Sequence, residues 1–239
     1  SDYIIPLTSP VYMESDMGNL YLVSGGKLND EFLLKLARID SQELVGENLK
    51  KNLVQLLKDC CEALKDSGGI DYILIDSRAG FHDMAGVVTA QIPHGVVLFG
   101  KDSFQSWFGI QQAVRTIATS QMDKPFTIMV DSACGVNGIV SEEEKEHFRQ
   151  KSYEVFCSDY YDNDMQPGIR ASREAHDPVF VRYTPALSGD VPLYDENRVA
   201  DLKIQLSDQP YLEIAERIMK WFGETQEGDA ENSGQESFA

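Results

Sequence analysis

The sequence predicts an α/β fold: a mostly parallel sheet flanked by helices. Three observations predict it. Short apolar runs alternate along the chain with segments of helical spacing, as in "GVVLFG" (95–100), the helical stretch near 104–119 and "PFTIMVD" (125–131). Several of those runs are continuous rather than alternating, the pattern of parallel strands buried on both faces. Finally, 239 residues with 42% hydrophobic and 25% charged side chains are enough to enclose one substantial core.

The elements follow in order. "NLYLVSG" (19–25) reads as a short strand ending at Gly25-Gly26, and "NDEFLLKLARI" (29–39) has helical spacing. Asp40 with Glu43 has the form of a capping box. It opens a long helix to about Lys65, with Leu49, Leu53, Leu56, Leu57, Cys60 and Leu64 on one face. "SGG" (67–69) stops that helix. "IDYILID" (70–76) reads as a buried strand, followed by a helix near 84–92, the strand 95–100, a helix near 104–119 and the strand 125–131. A helix starts at "SEEEKEHFRQ" (141–150), and the stretch 151–177 is an irregular excursion bearing short helices. "PVFVRYT" (178–184) is a late strand, and "QPYLEIAERIMKWFG" (209–223) is a closing amphipathic helix. Strands separated by helices imply right-handed βαβ crossovers. The expected organisation is one domain over 1–222 and an acidic, disordered tail over 223–239.

Charge narrows the function classes. The formal net charge is −18, so nonspecific binding to phosphate backbones or anionic membranes is disfavoured. No direct nucleic-acid partner and no membrane partner are expected. There is no apolar run of about 18 residues and no signal-peptide pattern, which makes the cytoplasm the expected location. Cys60, Cys61, Cys134 and Cys157 have no metal-ligand spacing and read as reduced, structural thiols. No nucleophile–histidine–acid arrangement stands out in the spacing.

In parallel sheets, ligands bind beyond the carboxyl ends of the strands. The residues expected there are polar or small: Ser24 to Lys27, Asp76 to Gly80, Gly100 to Ser103, Asp131-Ser132 and Thr184-Pro185. Asp76 has two readings. An acid closing an apolar strand can hold a hydrated Mg²⁺ beside nucleotide phosphates, or it can cap the following helix. Gly80, four residues on, leaves a backbone N–H free to approach a phosphate. Arg78 with Asp83 can form a surface ion pair, worth at most about 1 kcal/mol. Trp107, Phe104 and Phe108 read as core or interface anchors.

The string "DYILIDSRAGFHDMAG" (71–86) closely resembles the Walker B and switch II segment of ParA/MinD-type ATPases, the deviant Walker A branch of P-loop NTPases. Within them it is most similar to the subgroup with a KGGVGRT motif, with Ala79 in the place of the usual Thr. "NLYLVSGGK", "LARIDSQEL", "GVVLFGKDSFQSWFGIQQAVRTI", "FTIMVD" and "VRYTPAL" resemble later family segments in the same order, so the likeness spans roughly residues 18–222. It implies a P-loop NTPase-like fold and an ATP-driven switch that works as a homodimer or with a partner protein. It implies ATP and Mg²⁺ as cofactors. Asp76 would hold Mg²⁺ through water, and Gly80 would offer its N–H to the γ-phosphate. Arg78 would contact phosphate, and Asp131 and Pro185 would line the base pocket. Asp131 stands where the family often has Asn, and an acid there can accept from an adenine amino group.

The family's phosphate loop is absent: neither its Gly-rich string nor the general G-x-x-x-x-G-K-[ST] form occurs in the 239 residues. "SGGK" (24–27) is followed by Leu28 rather than Ser or Thr and reads as a turn. The opening "SDYIIPLTSP" resembles the region after the family's second strand. The expectation is therefore the C-terminal part of a longer protein, incomplete as a nucleotide site. Two rivals stand beside the switch: a non-catalytic regulatory or interaction module retaining the fold, and an unrelated α/β enzyme.

Overall fold

The computed structural model describes residues 4–7, 18–23, 46–77, 87–120, 124–135, 139–185 and 209–233. The chain divides into two compact units, Ser1–Ile92 and Pro93–Ala239.

In the first unit, β1 (Ile4–Pro6) pairs antiparallel with β2 (Tyr21–Val23), Ile4 opposite Val23 and Pro6 opposite Tyr21. The strand expected at 19–25 is there, shortened, but its antiparallel partner was not anticipated. Helix α1 (Gly46–Leu64) buries Leu49, Cys60 and Leu64. Leu56, expected on the same face, is exposed. A 3₁₀ turn, Lys65–Ser67, ends the helix. Gly68 and Gly69 then take φ values of 102° and 84°, left-handed conformations that a side chain resists, and the Gly69 N–H caps the Leu64 carbonyl at 3.1 Å. This is the stop read from "SGG".

Residues 72–77 differ from their expected strand. They join neither of the two sheets and lie exposed in irregular backbone, with Leu74 84% exposed. Apolar content makes a buried parallel strand only when a neighbouring strand satisfies its backbone and helices cover both faces. Among the described residues of this unit, no strand pairs with it. Beyond it, Val87–Gln91 forms a single π-helical turn within the helix expected at 84–92, with Ala90 buried.

The second unit carries the expected α/β architecture. Strands β3 (Gly95–Gly100), β4 (Phe126–Cys134) and β5 (Val179–Arg182) form one sheet in that order, and both pairings are parallel. Helices α2 (Phe104–Ala118), α3 (Glu142–Asp159) and α4 (Gln209–Ser233) connect or follow the strands.

The apolar run of β4 is explained by burial on both sides. Met129 packs with Trp107, Ile110, Val114, Phe148 and Phe156 from α2 and α3. Ile128 and Val130 point the other way, with Val179 and Val181, toward Tyr211, Ile214 and Ile218 of α4. Successive strand side chains alternate in direction, so neither face can be polar.

The helix starts are local. Ser103 caps α2, its Oγ accepting from the Ser106 N–H. Ser141 and Glu144 form a reciprocal capping box at α3. The three aromatics of α2 separate: Trp107 is buried, whereas Phe104 and Phe108 are exposed. The closing helix runs to Ser233, ten residues beyond the expected end at Gly223, where the disordered tail was placed. No proline interrupts 224–233, and its Glu, Gln and Ala residues favour helix. Among the described residues, no helix is long and apolar enough to cross a membrane.

Candidate functional site

The register of the parallel sheet sets the carboxyl edge of the second unit. Gly100 pairs with Asp131, so the loops after β3 and β4 leave the sheet side by side. Ser132 ties them together, its Oγ donating to the Gly100 carbonyl at 2.9 Å. A Cβ at Gly100 would meet Ile110 Cδ1 and come within 3.0 Å of Met129 Cε, so the ends of these two side chains would have to shift. The turn after β3 is held by the Lys101 N–H donating to Ser106 Oγ at 2.9 Å.

Asp102 lies in that turn and is committed on both oxygens. Oδ1 accepts from Trp107 Nε1 at 2.7 Å, and Oδ2 lies 3.4 Å from His147 Nε2. The tryptophan that anchors the core thus also orients an acid at the sheet edge. Asp102, Ser141, Glu143, Glu144 and His147 line a shallow cavity of about 400 Å³.

Asp131 is buried at the end of β4, only 5% exposed. Burial raises its pKa, and the carboxylates of Asp102 and Glu144 raise it further, to about 7. Nearby, burial and then the charge of Asp131 push the Cys134 thiol up to about 11, while its Sγ–H reaches the Val181 carbonyl at 3.3 Å. This thiol is protonated and inert at neutral pH.

The raised Asp131 has a stability consequence. The folded state binds a proton that the unfolded state has released over the range from 3.8 to about 7. Stability therefore falls as pH rises through that window and is flat above it. Asp131→Asn, which cannot ionise, is expected to stabilise the protein by about 1–3 kcal/mol at pH 8, with the gain vanishing near pH 4. Denaturant midpoints of both proteins across pH 4–9 measure it. A gain of the same size at pH 4 and pH 8 would refute it.

The candidate residues named from the sequence are placed as follows. Asp76 is exposed at the end of the irregular segment 72–77, in the first unit. Arg78 and Gly80 lie outside the described residues, as do His82 and Asp83. Asp131 and Pro185 belong to the second unit. Pro185 is exposed three residues past β5, and the Thr184 hydroxyl donates to the Arg182 carbonyl at 3.4 Å. The fold brings Asp131 together with Asp102 and Glu144, a grouping that spacing in the sequence did not reveal. Its one sequence signal was that all three lie near the expected carboxyl ends of strands or the helix start after β4.

Asp76 supplies a single exposed carboxylate. That suits a Mg²⁺ held mostly by water and phosphate, which asks for only one or two protein carboxylates. Among the described residues, no group of three or more His, Cys, Asp or Glu is placed to hold a metal ion by itself.

Fold and edge together define a class: an α/β domain whose parallel βαβαβ unit presents an acidic carboxyl edge. Comparisons with protein-family models, curated proteins and solved structures found no match for the chain.

Proposed function

We propose that the chain is part of a nucleotide-dependent molecular switch of the ParA/MinD type, working as a homodimer or with a partner protein. The reading is carried by the string 71–86, with Asp76, Arg78 and Gly80 at metal- and phosphate-sensing spacing. The second unit supports it, because its β3–α2–β4–α3–β5 order is the one the likeness calls for downstream of that string. Asp102, Asp131 and Glu144 repel phosphate, so the edge of this unit suits the base of a nucleotide rather than its phosphates. At about neutral pH Asp131 is poised either to accept from an exocyclic amino group or to donate to a ring nitrogen. Mg²⁺, when bound, would neutralise phosphate charge, with Asp76 holding its water shell and Gly80 presenting an N–H. Hydrolysis additionally requires a phosphate loop that these 239 residues do not contain.

Calorimetric titration of Mg²⁺–ATP tests this in a protein that supplies the loop. Asp76→Ala is expected to weaken binding about tenfold or more, as the loss of a metal-holding carboxylate should. Unchanged binding in that variant would overturn the Walker B assignment.

A second reading, a non-catalytic regulatory or interaction module, is favoured by two observations. The phosphate-loop string is missing, and residues 72–77 join neither sheet. It is the surviving reading if no ATP binding is seen with the loop supplied.

A further inference from the structure

Residues 161–177 form a surface strap between α3 and β5, and His176 is its one buried residue. Its exposure is 0%, in a place where an aliphatic side chain would serve packing alone. The imidazole sits edge-on to Tyr153 of α3 at 5.1 Å and to Tyr161 at 5.7 Å. Its Nε2 lies 3.3 Å from the Ile169 carbonyl, which can only accept, so Nε2 carries the hydrogen. Its Nδ1 is then a lone pair, and it accepts from the Tyr161 hydroxyl at 2.9 Å. The same hydroxyl accepts from the His176 backbone N–H at 3.3 Å, and Ser152 Oγ donates to the His176 carbonyl at 2.7 Å. Every contact fits a neutral ring of one tautomer.

We infer that His176 is an acid-operated latch, which fastens the strap to α3 when neutral and releases it when protonated. A proton on Nδ1 would point at an oxygen already accepting the backbone N–H. The tyrosine would then have to surrender its own donated bond. Charges facing the ring do not rescue the cation. The Ile169 carbonyl, Asp177, Glu174 and the Gly168 carbonyl favour it, but burial outweighs them and holds the pKa below the ordinary histidine value. Asp177 is moreover engaged by Arg217 of α4 at 3.1 Å and by the Arg173 N–H at 2.9 Å. Tyr153 presents a ring to the imidazole, and burial keeps the Tyr161 phenol protonated. Because Asp177 follows His176 directly and holds α4, release of the strap also loosens that helix.

Amide hydrogen exchange over 161–177, corrected for intrinsic rates, tests the latch at pH 7.5 and pH 5.0. It is run in the Asp131→Asn background, which removes a second buried group titrating in this range. Strap protection is expected to fall about tenfold or more at pH 5.0, while the amides of Ile128 to Val130 keep theirs. Nitrogen NMR of the imidazoles, assigned among the four histidines, should show His176 as the Nε2–H tautomer at pH 7.5. His176→Gln retains an acceptor for Tyr161 and a donor for Ile169 without titrating. Its strap should be equally protected at both pH values. An equal loss in His176→Gln overturns the latch. Should that variant not fold, the parent protein decides. Titration of His176 without loss of strap protection overturns the proposal, and so does a ring that stays neutral down to pH 4.5.

Discussion

Phe148→Ala is expected to remove about 3–5 kcal/mol of stability, among the largest losses for a single truncation in the second unit. Phe148 is fully buried. It packs against Trp107 with ring centroids 4.7 Å apart and edge-on to Phe180 at 6.2 Å. It therefore joins α2, α3 and β5 through one side chain, in a cluster it shares with Met129. Truncation loses both the transfer free energy of the ring and the contacts of the atoms that lined it. Against a total stability of roughly 5–15 kcal/mol for a domain, that is a large fraction. Guanidinium unfolding followed by far-ultraviolet circular dichroism measures it, with Leu56→Ala as the exposed control, expected to cost about 0.5 kcal/mol or less. A loss for Phe148→Ala below about 1.5 kcal/mol would mean that the two helices do not depend on this contact.

The second large effect is expected at Asp177. The Arg217 side chain is 4% exposed, yet it carries a full charge into the packing of α4. Its guanidinium donates to the Asp177 carbonyl at 2.9 Å, to Asp177 Oδ2 at 3.1 Å and to Glu213. Nε has no partner. Removing one member of a buried ion pair leaves an uncompensated charge, whereas removing the whole charged group avoids that desolvation cost. Asp177→Ala is thus expected to cost about 2–4 kcal/mol, Glu213 keeping the loss below the full range for an orphaned charge. Arg217→Met is expected to cost about 1 kcal/mol, because both carboxylates retain access to water. The double variant should then lie closer to Arg217→Met than to Asp177→Ala. A double-mutant cycle by denaturant unfolding gives the coupling directly. Additive losses would show that the cluster is not a unit.

The second unit was largely legible. "GVVLFG" became a strand of the same bounds, and "FTIMVD" became most of β4. The helix expected to start at 141–150 formed there, as α3 (Glu142–Asp159). These signals are local: apolar runs bounded by turn formers, and side chains that satisfy the first N–H groups of a helix. The string 70–76 has the same local signal and no strand ladder, because a ladder depends on a partner that composition does not name. The extension of α4 past Gly223 shows a related gap, since one glycine costs a helix only about 1 kcal/mol and does not end it without a capping geometry.

The site divides in the same way. Asp131 was named from its place at the end of an apolar strand, but its character was not. A carboxyl group that titrates near neutrality is made by burial and by two acids, Asp102 and Glu144, brought to it from different elements. His176 and Arg217 gave no sequence signal, since their function in the fold is set by partners remote in the chain, Ser152 and Asp177. By itself the sequence determined the α/β class, the stop of α1 at its glycines, and the 71–86 string on which the nucleotide-switch proposal rests, because these depend on residues within a few positions of one another. Tertiary structure alone decided which apolar runs became strands, which acid was driven toward neutrality and which polar groups were sealed inside. Pairing, burial and the sum of nearby charges are properties of the packed chain, and no local stretch of residues carries them.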